Sequence, residues 1–255
     1  MKRWLALLVA PLLMGQAPSA SQPTLVPAVS QRDIEIAYSF TGAELLLFGA
    51  ILYPGEGGRS TRPADIVVVV KGPTESILVR EKEKVAGIWI NAQRARYRSA
   101  PSFFAVASSK PVAALVDERT RAIYELGLDT LQLSPASGMA APEQERFATG
   151  LVDLKRRAGL YYEAPGAVEI TDGVLYRARV AIPARVPVGR FTAETFLIRD
   201  GRVLAAATRD IDVRKAGFER FVARAADQHE IAYGLVAVLL SVGLGWLAGW
   251  AARRF

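Results

Sequence analysis

The stretch "DIVVVVKG" (Asp65–Gly72) contains an unbroken apolar run, "IVVVV", between two charged residues. A short apolar run that is rich in valine and bounded by turn residues is typical of a β-strand covered on both faces. Strands with one face in water instead alternate apolar and polar residues, as "DIEIAYSF" (Asp33–Phe40) does. The sequence therefore predicts a β-rich domain in which Asp65–Gly72 forms a central strand.

Similar segments follow one another on both sides of this strand. The other predicted strands are "AELLLFGAILY", "SILVRE", "GIWIN", "SFFAVASS", "GAVEI", "GVLYRARVAI", "RFTAETFLIR" and "RVLAAATRDIDV". Turn residues separate them, and Asp200-Gly201 predicts a two-residue hairpin. Short strands at this spacing favour a sandwich, and "IPARVPVGRFTAETFLIRDGRV" has the pattern of the last strands of an immunoglobulin-like fold. We expect a mainly β fold with immunoglobulin-like β-sandwich regions.

A helical segment interrupts the strands between residues 113 and 160. The sequence predicts a short helix over Asp117–Leu126, with Asp117 as its N-cap, and a longer helix over Pro142–Ala158. In the longer helix, Pro142 stands in the first turn, acidic residues follow it and basic residues close the last turn, as the helix dipole favours. Its predicted apolar stripe consists of Phe147, Leu151, Leu154 and Ala158.

The C-terminal run "IAYGLVAVLLSVGLGWLAGWAA" contains no charged residue. A helix of this length crosses the roughly 30 Å hydrocarbon core of a bilayer, which takes about 20 residues. Aromatic side chains near both of its ends suit the bilayer interfaces. We therefore predict a transmembrane helix over residues 231–252 that anchors the protein in the lipid bilayer. Small residues four positions apart would let another helix approach closely, namely Ser241, Gly245 and Gly249.

The N-terminus has the pattern of a secretory signal peptide, which we predict over residues 1–20. Two basic residues precede the apolar run "WLALLVAPLLM", and small residues follow it. Cleavage is expected between Ala17 and Ser21. If the segment is retained as an anchor instead, two membrane spans still place the middle of the chain outside the cytoplasm. We expect a single-pass protein of the bacterial inner membrane with a periplasmic domain and a cytoplasmic tail, residues 253–255.

The exported region is expected to have four parts in chain order. These are an N-terminal β-rich part (21–112), the helical segment (113–160), the C-terminal sandwich strands (161–215) and a juxtamembrane amphipathic helix (216–230). The pattern of strands and turns fits either one sandwich that combines both β-rich parts or two separate sandwiches. The residue pattern leaves both arrangements open.

Composition narrows the classes of function. The formal net charge is +7, but four of the 32 basic residues lie at the two ends, and the other 28 against 25 acidic residues leave +3. Nucleic-acid binding, which needs basic residues concentrated on one face, is not expected. The chain has one histidine, His229, and no cysteine, so a Ser-His-Asp site and a zinc site lack suitable residues. We predict no catalytic residue, no cofactor and no metal site.

The stretch "EKVAGIWINAQ" (Glu83–Gln93) raises the question of a binding surface. In a strand, Ile88 and Ile90 point toward the sandwich core, while Trp89 points the other way. We expect Trp89 to pack beneath the helical segment, and the alternative is an exposed recognition residue. The basic run after it suits an anionic lipid, an anionic sugar, an acidic partner or a solvated edge strand. The candidate interaction surface comprises Trp89, Asn91, Arg94, Arg96 and Tyr97.

Several segments are distinctive enough to suggest kinship with a known family. In chain order they are "AYSFTGAELLLFGAI", "VVVVKGP", "REKEKVAGIWIN" and "VPVGRFTAETFLIRDG", followed by the apolar C-terminal run. In this order they resemble a family of alphaproteobacterial transmembrane proteins, and the likeness covers nearly the whole chain. The resemblance implies an inner-membrane protein of about this length, and it carries over no activity, ligand or catalytic residue.

These observations lead to one expected function and two alternatives. Few side chains suit catalysis, and the membrane helix has helix-packing features, so we expect a non-enzymatic accessory or binding module for another membrane or envelope protein. One alternative is an enzyme that acts on an envelope polymer through a pair of carboxylates. The other is a periplasmic receptor for a small ligand, with the helical segment as its lid.

Overall fold

The computed structural model describes residues 22–36, 42–54, 62–136, 138, 140–215, 222, 226–228 and 230–252. Three predicted features lie wholly or mostly outside the described residues, as does His229: the signal peptide (1–20), the cytoplasmic tail (253–255) and the juxtamembrane helix (216–230).

The described part of the chain is mainly β. Its strands are β1 (Thr24–Val29), β2 (Asp33–Ile36), β3 (Gly42–Leu52), β4 (Asp65–Lys71), β5 (Thr74–Val85), β6 (Ile88–Pro101), β7 (Phe104–Ser108), β8 (Ser134–Pro135), β9 (Tyr161–Pro165), β10 (Val168–Thr171), β11 (Leu175–Pro183), β12 (Gly189–Arg199) and β13 (Arg202–Lys215). Its α-helices are α1 (Glu118–Tyr124), α2 (Ala141–Arg157) and α3 (Glu230–Ala252). The predicted β fold class, with a helical insertion and a C-terminal apolar helix, is confirmed.

Two sheets pack face to face around the main core. The four-stranded sheet A has the order β1-β3-β11-β10, and the six-stranded sheet B has the order β2-β13-β12-β4-β7-β9. Buried side chains from both sheets form one cluster, which includes Leu45, Ile51, Val68, Val180, Phe191 and Leu197. Each sheet takes strands from before and after the helical segment, so the two β-rich parts build their sheets together. The immunoglobulin-like detail stays a prediction.

Strand β4 is central in sheet B, as its apolar run predicts. Residues Ile66–Val70 are fully buried. Val68 and Val70 belong to the core between the sheets, whereas Val67 and Val69 belong to a second core on the outer face of sheet B. The predicted hairpin is also present: β12 and β13 are joined by Asp200 and Gly201, whose φ angles are 51° and 75°.

The helical segment is the crossover between two parallel strands. Strand β7 pairs with β9 in parallel, and such a pair needs a long connection because the chain must return to its starting end. This connection lays Leu115, Val116 and Leu126 over the outer face of sheet B. Asp117 caps α1 as predicted, accepting a hydrogen bond from the Thr120 amide at 2.9 Å.

An ion-paired lysine fastens the helical segment to sheet B. Lys71 at the end of β4 lies 2.8 Å from the Glu125 carboxylate, just past α1, and 3.1 Å from the Glu194 carboxylate on β12. Burial opposes the charge of Lys71, but the hydrogen bonds and charges of the two carboxylates outweigh burial and raise its pKa. The three side chains therefore link β4, β12 and the residue after α1.

Candidate interaction site

Strands β5 and β6 form a long antiparallel hairpin, which we call the ribbon (Thr74–Pro101). At about 3.4 Å per residue, its 12- and 14-residue strands extend for about 40 Å. Ala86 and Gly87 make the turn with φ angles of 50° and 87°, the positive values that a tight hairpin turn requires. The predicted strand "GIWIN" includes Gly87, but Gly87 belongs to the turn and β6 begins at Ile88.

Helix α2 covers the inner face of the ribbon. Val79, Ala95 and Tyr97 are buried there against Phe147 and Leu151 of the helix. These two helix residues confirm half of the predicted apolar stripe, whereas Leu154 and Ala158 are exposed. The helix therefore binds the ribbon through a narrow apolar seam.

Ion pairs flank this apolar seam. Lys155 of α2 contacts Glu75 at 2.6 Å, and Arg146 of α2 contacts Glu81 at 3.3 Å. Arg146 also donates a hydrogen bond to the side-chain oxygen of Gln93 at 2.5 Å. Glu75 and Glu81, the acidic residues of the part of the inner face that α2 covers, thus each have a basic partner on the helix.

Tyr97, a member of the predicted interaction surface, is fully buried. Its hydroxyl donates a hydrogen bond to the Gln144 carbonyl oxygen at 3.3 Å, and burial raises its pKa. Tyr97 alternates with the exposed Arg96 and Arg98, so it faces the helix while they face solvent. The prediction that Tyr97 lies on an interaction surface is wrong, because its strand position directs the ring into the seam with α2.

The tip of the ribbon is exposed and apolar. Every residue from Lys82 to Ala92 is exposed, and the exposed fractions are 50% for Val85, 69% for Ile88, 64% for Trp89 and 45% for Ile90. The predictions that Trp89 packs beneath the helical segment and that the two isoleucines enter the core are wrong. Helix α2 covers the ribbon only as far as the level of Glu81 and Gln93.

The outer face of the ribbon is basic. Alternation along the strands places four arginines there, Arg80 on β5 with Arg94, Arg96 and Arg98 on β6, which we call the arginine face. Arg80 lies directly opposite Arg94 in the strand register. Beyond them, Lys84 pairs with Trp89 and Lys82 pairs with Asn91, so the basic face continues to the tip. Of the predicted surface residues, Trp89, Asn91, Arg94 and Arg96 are exposed on the ribbon.

Sheet A presents a second apolar surface, which was not predicted from the sequence. Val26, Phe48, Leu52 and Leu175 are exposed on its outer face, which forms a shallow depression of about 480 Å³. Gly49 is required there because a β-carbon would lie 2.5 Å from the Val26 carbonyl oxygen. The signal was present in β3, where the apolar residues of "LLLFGAIL" occupy both faces of the strand.

Helix α3 is long and apolar enough to cross a membrane over Tyr233–Trp250. Ser241 donates a hydrogen bond to the Ala237 carbonyl oxygen at 2.8 Å. A β-carbon built at Gly245 or at Gly249 would have no neighbour within 4 Å. The backbone at these two glycines is thus accessible on the described helix surface, and the role of Ser241, Gly245 and Gly249 in helix packing stays a prediction.

A mainly β domain followed by one membrane-spanning helix defines the class of this membrane protein. The profile of a protein family described as "Putative transmembrane protein (Alph_Pro_TM)" matches residues 24–254. The chain belongs to this family, as the resemblance in its sequence implies.

The chain is also compared with solved structures and with curated protein sequences. Among solved structures, the crystal structure of Spo0M, a sporulation control protein from Bacillus subtilis, is similar with 10% sequence identity and a TM-score of 0.30. The alignment covers 82% of this chain and 56% of Spo0M, so the chain spans little more than half the length of that protein. A comparison with curated protein sequences gives no match.

Proposed function

We propose that this protein is a non-enzymatic, membrane-anchored binding module whose ribbon tip docks on another membrane or envelope protein. In this proposal the domain lies in the periplasm, and α3 is its single anchor in the bacterial inner membrane. The apolar N-terminal run and the basic residues at both ends of the sequence support this orientation.

The observation that carries the proposal is the exposed tip with Trp89 at its centre. A soluble surface seldom exposes several large apolar side chains together unless they bind something. In the strand register Val85 pairs with Ile88 on one face of the tip, next to Ile90, and Trp89 pairs with Lys84 on the other face. Both faces of the tip therefore present exposed apolar side chains. Tryptophan is also the residue type most enriched among the binding hot spots of protein interfaces.

The construction of the ribbon favours recognition. Its base is held by α2 through the apolar seam and the ion pairs of Glu75 and Glu81. A tip presented on a fixed scaffold loses less conformational entropy on binding than a free loop does. The tip also lies several residues beyond the cover of α2, so a partner can surround it without displacing the helix.

Co-purification from detergent-solubilised membranes tests the proposal. We expect a membrane or envelope protein to co-purify in stoichiometric amount with the wild-type protein. Trp89→Ala should weaken this association by roughly 2 kcal/mol or more, as hot-spot tryptophans do. Ile123→Ala is the matched control, because Ile123 on α1 is 61% exposed and lies outside the ribbon. Equal recovery of the partner with wild type and Trp89→Ala would refute a docking role for the tip.

A further inference from the structure

Charges on the ribbon are sorted between its two faces. The inner face carries Glu75 and Glu81, which each have a basic partner on α2, and the exposed Glu83 beyond the helix. The arginine face carries only cations. Within the part of the chain that the structure describes, none of its four arginines forms an ion pair with a carboxylate. The ribbon thus carries its acidic residues on the inner face and leaves its basic face without a counter-charge.

This basic face is electrostatically unfavourable when nothing is bound to it. Arg80 lies directly opposite Arg94, and like charges in opposite positions destabilise a strand pair. Arg94, Arg96 and Arg98 alternate along β6, so successive side chains originate about 7 Å apart. That spacing is shorter than the distance of about 8 Å over which physiological salt screens charges. An anion between the side chains would convert this repulsion into attraction.

The arginine face also contains a surface depression. Ser76, Leu78, Arg94 and Arg96 line a space of about 570 Å³. The Nε of Arg96 donates a hydrogen bond to the Ser76 hydroxyl oxygen at 3.4 Å, and that hydroxyl donates to the Tyr97 carbonyl oxygen at 3.2 Å. These bonds orient the Arg96 guanidinium group through its Nε and leave its two Nη groups for another acceptor.

We propose that the arginine face binds a phosphate-bearing anion at this depression. The planar guanidinium group pairs its N–H groups with two phosphate oxygens at once, and such charge-assisted bonds are stronger than neutral ones. The site lies five residues from Trp89 along β6, about 17 Å at the spacing of a strand, so it is distinct from the apolar tip. It does not depend on the protein partner proposed for the tip.

Two sources can supply this chemistry, the headgroup of an anionic phospholipid and a phosphate compound in solution. The half-exposed side chain of Leu78 lies opposite Arg96 and adds an apolar contact beside the arginines. The membrane-spanning helix also ties the domain to a bilayer. Both sources share the phosphate group, and an experiment with separate probes distinguishes them.

The experiment uses the full chain in nonionic detergent micelles and two probes measured by titration calorimetry. One probe is inorganic pyrophosphate, and the other is phosphatidylglycerol added in mixed micelles, with phosphatidylcholine as its neutral counterpart. The test variant combines Arg94→Gln with Arg96→Gln. The control combines Arg177→Gln with Arg179→Gln, which removes the same charge from two alternate, exposed positions of β11.

We expect wild type and the control to bind at least one probe. The affinity of the test variant for that probe should be lower by roughly tenfold or more. Binding of phosphatidylglycerol alone identifies a lipid headgroup as the source, binding of pyrophosphate alone identifies a soluble phosphate, and binding of both supports a site for the phosphate group itself. Thermal melting of the test variant at the wild-type temperature shows that the fold is intact. The proposal is overturned if neither probe binds, or if the control loses as much affinity as the test variant.

Discussion

Two apolar runs of this chain, "IVVVV" in β4 and the residues around Trp89 in the ribbon, have opposite environments. Ile66–Val70 are fully buried, because sheet A covers one face of β4 and the crossover segment covers the other. Ile88, Trp89 and Ile90 are exposed, because α2 covers the ribbon only near its base. The difference shows that the layer packed over a strand decides whether its apolar side chains stabilise the fold or remain available to a partner.

The largest effect is expected at the buried run. Val68→Asp places a charge without a partner in the core between the sheets, and we expect it to lower the free energy of unfolding by about 4 kcal/mol or more. The control is Ile88→Asp at the exposed tip, which should change that free energy by about 0.5 kcal/mol or less. Denaturant titration of both variants measures the difference. A Val68→Asp protein that unfolds at the wild-type midpoint would show that β4 is not central.

The seam between α2 and the ribbon marks the boundary between the two environments. Leu151→Ala should lower the free energy of unfolding by about 2–4 kcal/mol, because it leaves a cavity against Val79 and Tyr97. Leu154→Ala, one turn further along the same helix at an exposed position, should have little effect. Amide hydrogen exchange in β5 and β6 should speed up in Leu151→Ala alone. Equal effects of the two substitutions would mean that the seam does not hold the ribbon.

A smaller and pH-dependent effect is expected where the crossover segment meets sheet B. Glu125 and Glu194 raise the pKa of Lys71 in the folded protein, so folding favours its protonated form. This stabilisation is complete below the pKa of the unfolded chain, about 10.4, and is lost as pH rises through the higher folded value. Lys71→Met should lower the free energy of unfolding by about 1–2 kcal/mol at neutral pH.

Denaturant titrations at increasing pH check the role of Lys71. The difference in unfolding free energy between wild type and Lys71→Met should shrink as pH rises above about 10.4. A difference that stays constant to higher pH would show that the ion pairs with Glu125 and Glu194 do not fasten the segment.

Several elements of the domain were predictable from local sequence, although β1 and β9 were not among the predicted strands. Unbroken valines identified β4, the proline and the charge distribution identified α2, and Asp200-Gly201 identified the hairpin between β12 and β13. Each of these signals acts within a few residues. The parallel pairing of β7 with β9 was not predictable in this way, because it joins strands on either side of the whole helical segment.

The candidate site was predicted only in part. The residues around Trp89 were identified as a possible surface, but the extent of α2 over the ribbon decides the exposure of Trp89 and the burial of Tyr97. How far α2 extends over the ribbon depends on tertiary packing and is not specified by the local sequence around Trp89. The basic run that includes Arg94 and Arg96 was recognised in the sequence. The net charge of +3 outside the ends did not indicate that alternation along β5 and β6 separates the acidic from the basic residues.

The free energy of unfolding of Trp89→Ala is the most direct measure of the contrast between a buried β4 and an exposed tip. With a ring that is 64% exposed and beyond the cover of α2, we expect the substitution to change that free energy by about 0.5 kcal/mol or less. A loss of about 3–5 kcal/mol, the usual cost of truncating a packed tryptophan, would contradict the exposed tip and return Trp89 to the core.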